Sequence, residues 1–289
     1  MQNNPAIEPR TKILYPQAQT QAEISANLAM VKDKMAAACL RSGRSPDAVQ
    51  LLPVSKTIPN SRIQMAYAAG CRAMGENKVQ EAQEKAASMQ HLADLRWIVI
   101  GHLQSNKVRQ VCRFASEFHA LDSLKLAQAL EDHLQKEGRA MDVLVQVITS
   151  GEASKYGLQP AATAAFLHSL KDFSALKVRG LMTLAMLSSH SDQVRSCFQT
   201  LRSLRDQLQQ NTPQLCELSM GMSGDFELAI EESATIIRVG QAIFGARATS
   251  DQYYWPEKTA QERGSVDVCF APALSQKMAS RKACDEGNN

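Results

Sequence analysis

The chain of 289 residues carries 32 Lys+Arg against 29 Asp+Glu, a formal charge of +3, and aromatics at 5% that do not interleave with basic clusters. That balance excludes the strongly basic face of a nucleic-acid-binding protein, and the length allows one or two domains with a large buried core. The seven cysteines, Cys39, Cys71, Cys112, Cys197, Cys216, Cys269 and Cys284, have no C-x-x-C spacing, which argues for reduced thiols and against a disulfide framework or a zinc site.

In chain order, residues 1–21 read as an N-terminal tail with no apolar run of the signal-peptide kind, and no later segment is apolar enough to span a bilayer, so a soluble cytoplasmic protein is expected. Ile24, Leu28, Val31 and Met35 then mark an amphipathic helix. Strands are predicted at 49–55, 71–75, 96–101, 116–121, 141–149, 176–184, 215–219 and 235–239. Helical patterns separate them. Ser61 and Gln64 have capping-box spacing after Pro59, Asp122 or Ser123 is placed to cap the helix through Leu126 and Leu130, and Val194, Phe198, Leu201, Leu204 and Leu208 form one apolar stripe. About eight β-then-α units with strands apolar on both faces predict an α/β fold, a parallel (β/α)8 TIM barrel over 22–248. The rival, an open doubly wound sheet, would carry a Gly-rich turn after its first strand, and "VSKTIPN" is not one. Residues 249–289 show no sustained period and read as a polar C-terminal tail, with Tyr253, Tyr254 and Trp255 able to dock on the barrel.

The unusual polar residues collect where these strands end, the position of chemistry in such barrels. Lys56 follows the first strand, Glu76 and Asn77 the second, His102 the third, Asp122 the fourth and "SGEASKYG" the fifth. Lys56 alone is compatible with a solvated strand-end lysine. The functional reading is a Schiff-base amine, which requires an apolar mouth that keeps it neutral. "LSMGMSGDFELAI", 218–230, has Gly221 and Gly224 for close backbone approach, Ser219 and Ser223 for hydroxyls, and a helix start near Asp225. It reads as an anion cup or as an ordinary capped turn. A lysine and a phosphate cup at one mouth describe a ligand with an aldehyde and a phosphate, such as pyridoxal 5'-phosphate. Arg238, inside "TIIRVG", needs a partner: Glu217, Glu76, or the pyridine nitrogen of that ligand, to which it could only donate, leaving a poor electron sink. His102 suits a hydrogen-bonded structural role better than a catalytic one and has no metal-ligand spacing beside it, and Asn77 is placed either to cap its helix or to contact a ligand.

Together "LLPVSKTIP", "MGENKVQEAQEK", "WIVIGHLQSNK", "LDSLKLAQAL", "SGEASKYGL", "RGLMTLA", "LSMGMSGDFELAI" and "IIRVGQAIFGAR" resemble, in order, the pyridoxal phosphate homeostasis proteins, over about 22–247. The resemblance implies a fold-type III barrel similar to the N-terminal domain of alanine racemase. It implies Lys56 holding the cofactor as a Schiff base, Ser219, Met220, Gly221, Ser223, Ser233 and Thr235 in the phosphate region, Arg238 at the pyridine nitrogen, and Asn77 lining the site. It also implies a monomer without a catalytic cycle that keeps vitamin B6 balanced and passes the cofactor transiently to apo-enzymes. Two positions depart from the family pattern: Ile58 replaces its second lysine and Ser233 a common glycine. Lys155 is a candidate secondary amine. The competing readings are a racemase, which needs a second base such as Tyr156, and a Schiff-base aldolase.

Overall fold

The computed structural model describes residues 15–152 and 156–246. Lys155, residues 1–14 of the N-terminal tail, Arg247, and the C-terminal tail with Tyr253, Tyr254 and Trp255 lie outside the described residues.

The first helix, α1 (Gln21–Arg41), opens on a true capping box: the Thr20 hydroxyl accepts from the Glu23 N–H while the Glu23 carboxylate accepts from the Thr20 N–H. Its buried stripe is Ile24, Leu28, Val31, Met35, Ala38 and Cys39. The remaining elements alternate, as β1 (Gln50–Pro53), α2 (Asn60–Ala68), β2 (Ala73–Glu76), α3 (Val79–Ser88), β3 (Arg96–Val99), α4 (Val108–Phe114), β4 (Glu117–Leu121), α5 (Leu124–Lys136), β5 (Met141–Gln146), α6 (Pro160–Ser169), β6 (Leu176–Met182), α7 (Ser191–Gln209), β7 (Glu217–Ser219), α8 (Phe226–Glu231), β8 (Ile236–Val239) and α9 (Gln241–Phe244). Each predicted strand is present. All pairings are parallel, in the order β1-β8-β7-β6-β5-β4-β3-β2. The ring is completed between β1 and β2 by the Val54–Gly75 bridge, where the Ser55 N–H donates to the Gly75 carbonyl at 3.0 Å. This is the expected (β/α)8 barrel.

Strand alternation divides the core in two. Phe118, Leu121, Val143, Phe198 and Leu201 pack between sheet and helices, while Leu52, Val54, Ala73, Ile98, Ile100 and Ile236 form a separate cluster inside the barrel. That inner cluster draws on β1, β2, β3 and β8; the rest of the interior holds the polar groups described below.

Two local expectations are revised and one is resolved. Helix α2 has no capping box: Asn60 begins it, and Pro59, with φ fixed at −62°, caps it without a side-chain hydrogen bond. Of the two cap candidates for α5, Ser123 does the work, accepting from the Leu126 N–H. Residues 15–20, placed in the N-terminal tail, lie against the barrel, with Ala18 buried and the Ala246 N–H donating to the Tyr15 carbonyl at 2.9 Å. Among the described residues no helix is long and apolar enough to cross a membrane.

Candidate functional site

Lys56 leaves β1 into the barrel mouth and is 3% exposed, so it is not the solvated strand-end lysine. The residues on either side of it are fixed by one buried ion cluster. Ser55 donates its hydroxyl to Glu76 at 2.6 Å. The Lys85 ammonium donates to the Ser55 carbonyl, to Glu76 and to Glu81, each at 2.7 Å. The same Glu81 oxygen accepts the Thr57 N–H at 2.5 Å. Thr57 needs that hold, because its φ of +64° is a left-handed conformation that β-branched residues resist. Burial pushes the Glu76 carboxyl up to about 7, while Lys85 pulls it down. Ile58, where the family pattern has lysine, is itself buried and packs into the core.

Arg238, on β8 beside β1, is 3% exposed. Neither Glu217 nor Glu76 partners it. One Nη donates to the Ser219 hydroxyl and the other to the Thr183 carbonyl, both at 2.8 Å. Ser219 Oγ lies 3.2 Å from His119 Nδ1, and His119 Nε2 lies 3.0 Å from Glu117 Oε2. Burial holds the His119 imidazole below its usual value and Glu117 lies below the ordinary carboxylate range, held there by His119 and Arg96. A neutral imidazole therefore donates from Nε2 to Glu117 and accepts at Nδ1 from Ser219, which accepts in turn from Arg238. Arg238 is brought down to about 10 by burial and stays protonated at neutral pH.

The loop after β7 forms the cup. Gly221 has φ +92°, and a Cβ there would stand 2.6 Å from Ala229 Cβ, so only glycine fits. Ser223 Oγ accepts from the Gly240 and Ala242 N–H groups, each at 3.3 Å, which ties this loop to the one after β8. Among the described residues the N–H groups of Gly221, Ser223 and Gly224 donate to no protein acceptor, leaving them for an anion. Met220 offers the cup no donor: its N–H donates to the Ile236 carbonyl at 3.0 Å and its side chain is fully buried in the core.

Two residues assigned to this cup lie elsewhere. Ser233 and Thr235 precede β8, and in a parallel barrel the start of one strand is the end opposite the mouth. Thr235 Oγ1 binds the Glu217 carboxylate and accepts from the Leu218 N–H, which closes the barrel floor. Ser219 is displaced too: it lies inside the barrel beneath Arg238. The loop after β8, Gly240–Ala242, takes their place at the cup.

Asn77 is buried at the mouth, and the cap of α3 is Lys78, so the helix-capping reading of Asn77 falls. A Cβ on Gly101 would stand 2.2 Å from the Asn77 carbonyl oxygen, so the turns after β2 and β3 meet there backbone to backbone. His102 stacks on Tyr156 with ring centroids 3.7 Å apart and 17° between planes, and its Nδ1 is 3.7 Å from Asp122 Oδ2. No metal-binding group of three or more His, Cys, Asp or Glu exists among the described residues. Reading the sequence missed Glu81, Lys85, Glu117 and His119. Two signals for them were present: the i,i+4 spacing of Glu81 and Lys85, and Glu117 with His119 on one face of an otherwise apolar strand.

Residues 23–248 match the family model described as alanine racemase, N-terminal domain, which places the barrel and its mouth in that class. Within it the relatives are specific. The chain is 43% identical over 214 residues to the pyridoxal phosphate homeostasis protein of Vibrio alginolyticus, covering 72% of this chain and 90% of that one. It is 41% identical over 230 residues to that of Escherichia coli (strain K12), covering 78% and 97%. The solved structure of PipY of Synechococcus elongatus PCC7942 with PLP bound superposes with a TM-score of 0.68 at 40% identity, covering 77% of this chain and all of PipY. The chain belongs to the pyridoxal phosphate homeostasis protein family.

Proposed function

We propose that this chain binds pyridoxal 5'-phosphate at the barrel mouth, holds it as a Schiff base on Lys56, and supplies it to apo-enzymes in vitamin B6 homeostasis. The observation that carries the reading is the buried Arg238, a permanent donor inside the barrel, on the strand next to the one that delivers the buried Lys56 and beside an anion cup. The residues fit the cofactor part by part. Lys56 offers the primary amine, the amides of the loop after β7 suit the phosphate, and Arg238 suits the pyridine nitrogen. When bound, the cofactor supplies an aldehyde that condenses with primary amines.

The chain's own residues define what the site does. The Glu76–Lys85–Glu81 cluster fixes both neighbours of Lys56 and so limits where its amine can go. The relay through Ser219 and His119 orients the Arg238 guanidinium, which donates and cannot take up a proton. A pyridine nitrogen facing it stays unprotonated, so electron withdrawal toward the ring is weak. That favours holding over turnover, in line with relatives named for homeostasis. We read the protein as a cytoplasmic monomer. The five described cysteines are free thiols, and the exposed large apolar side chains, Met30, Leu40, Leu124 and Leu187, are scattered in the sequence.

The test is transfer and turnover together. Protein loaded with the cofactor is expected to restore activity to a cofactor-dependent apo-enzyme, and to leave the optical rotation of a single amino-acid enantiomer unchanged. Steady loss of rotation abolished by Lys56→Ala would assign the racemase reading instead.

A further inference from the structure

Residues Tyr15–Gln19 precede both α1 and the segment 23–248 that matches the family model. They lie along the chain that leaves β8. The Ala246 N–H donates to the Tyr15 carbonyl at 2.9 Å and the Ala18 N–H to the Phe244 carbonyl at 3.4 Å. The Gln17 side-chain amide donates to the Ala246 carbonyl. Buried Arg62 anchors the strip from α2, one Nη donating to Gln17 Oε1 at 3.2 Å and the other to the Phe244 carbonyl. From this strap the Tyr15 hydroxyl reaches into the loop after β7 and donates to the Ser223 carbonyl at 2.8 Å.

Ser223 is the residue that joins the two halves of the cup, through the Gly240 and Ala242 amides. A trans peptide is planar, so holding its carbonyl also fixes the Gly224 N–H on the opposite side. The strap thus sets the orientation of donors in the cup from a segment outside the family barrel.

We propose that Tyr15 is a positioning residue for the phosphate group: the N-terminal strap clamps the Ser223 turn and slows escape of a phosphate-bearing ligand. This rests on the reading of the cup as the cofactor's phosphate site. The clamp acts on the phosphate alone, so pyridoxal, which has the aldehyde but no phosphate, is insensitive to it. One hydrogen bond between uncharged groups corresponds to a roughly three- to tenfold change in release.

The experiment compares full-length wild type with Tyr15→Phe, which keeps the ring and removes the hydroxyl, and with Gln17→Ala, which loosens the strap without touching the cup. Each protein is loaded with pyridoxal 5'-phosphate or with pyridoxal, diluted, and followed by loss of protein-bound absorbance; thermal midpoints are recorded alongside. Both variants are expected to release pyridoxal 5'-phosphate roughly three- to tenfold faster, with pyridoxal release unchanged. Equal release from all three proteins, or equal acceleration for both ligands, overturns the clamp while leaving the cofactor reading intact. Wild type that acquires no bound absorbance from pyridoxal 5'-phosphate overturns the cofactor reading, and the clamp with it.

Discussion

Arg238 shows how a single side chain sets the character of this site. A guanidinium in a barrel interior needs partners for its donors, and here Ser219 and the Thr183 carbonyl take one from each Nη. Ser219→Ala leaves an Nη of Arg238 and His119 Nδ1 without their shared partner, and is expected to cost about 1–3 kcal/mol by urea denaturation. His119 adds a pH signature. Its imidazole is held below 6.5 by burial, so its contribution to stability is fully present above that pH. It is lost as the pH falls below 6.5, where the unfolded histidine takes up a proton that the buried one refuses, at a rate of at most ~1.4 kcal/mol per pH unit. Denaturation midpoints between pH 7 and pH 5 are therefore expected to fall more steeply in wild type than in His119→Gln. The same-face spacing of Glu117 and His119 in "EFHAL" was a signal, but only the fold shows that His119 meets Ser219 and, through it, Arg238. The arginine itself was legible, as a charge where an apolar strand excludes one.

At the scale of elements, the turn after β1 depends on α3. Lys85→Met would leave the buried Glu76 and the part-exposed Glu81 without their cation, and a loss of about 3–5 kcal/mol is expected. Glu81→Gln keeps the volume but weakens the hold on Thr57, so slower labelling of Lys56 by pyridoxal 5'-phosphate is expected with a smaller change in stability; labelling at the wild-type rate would show that Thr57 needs no brace. Ser233 supplies the opposite case. Its φ of +71° is left-handed, and it precedes β8, at the end of the barrel opposite the cup. Ser233→Gly is expected to stabilise the fold by ~1 kcal/mol without altering cofactor release. The misplacement of Ser233 and Thr235 has a simple origin: hydroxyls beside Arg238 in the sequence look like neighbours of the cup, whereas strand polarity puts the residues before β8 and those after it at opposite ends.

For the whole molecule, the barrel was legible because both faces of each strand are covered, which leaves continuous apolar runs such as "VLVQVIT" separated by helical periods. Element ends were less so: the first, third, fifth and sixth predicted strands ran two or three residues past the paired segments, because the residues there continue the strand direction without pairing, and the second stopped one residue short. Lys56, Asn77 and Gly221 stood out for that reason, while the 15–20 strap did not, having no periodicity of its own. The account's central claim is that Lys56 is the amine around which the mouth is organised. The direct measurement is intact mass with peptide mapping after incubation with pyridoxal 5'-phosphate and borohydride reduction, on wild type and Lys56→Ala. One adduct on Lys56 that vanishes in the variant is the predicted result. Adducts scattered over other lysines, or an adduct that survives Lys56→Ala, would contradict it.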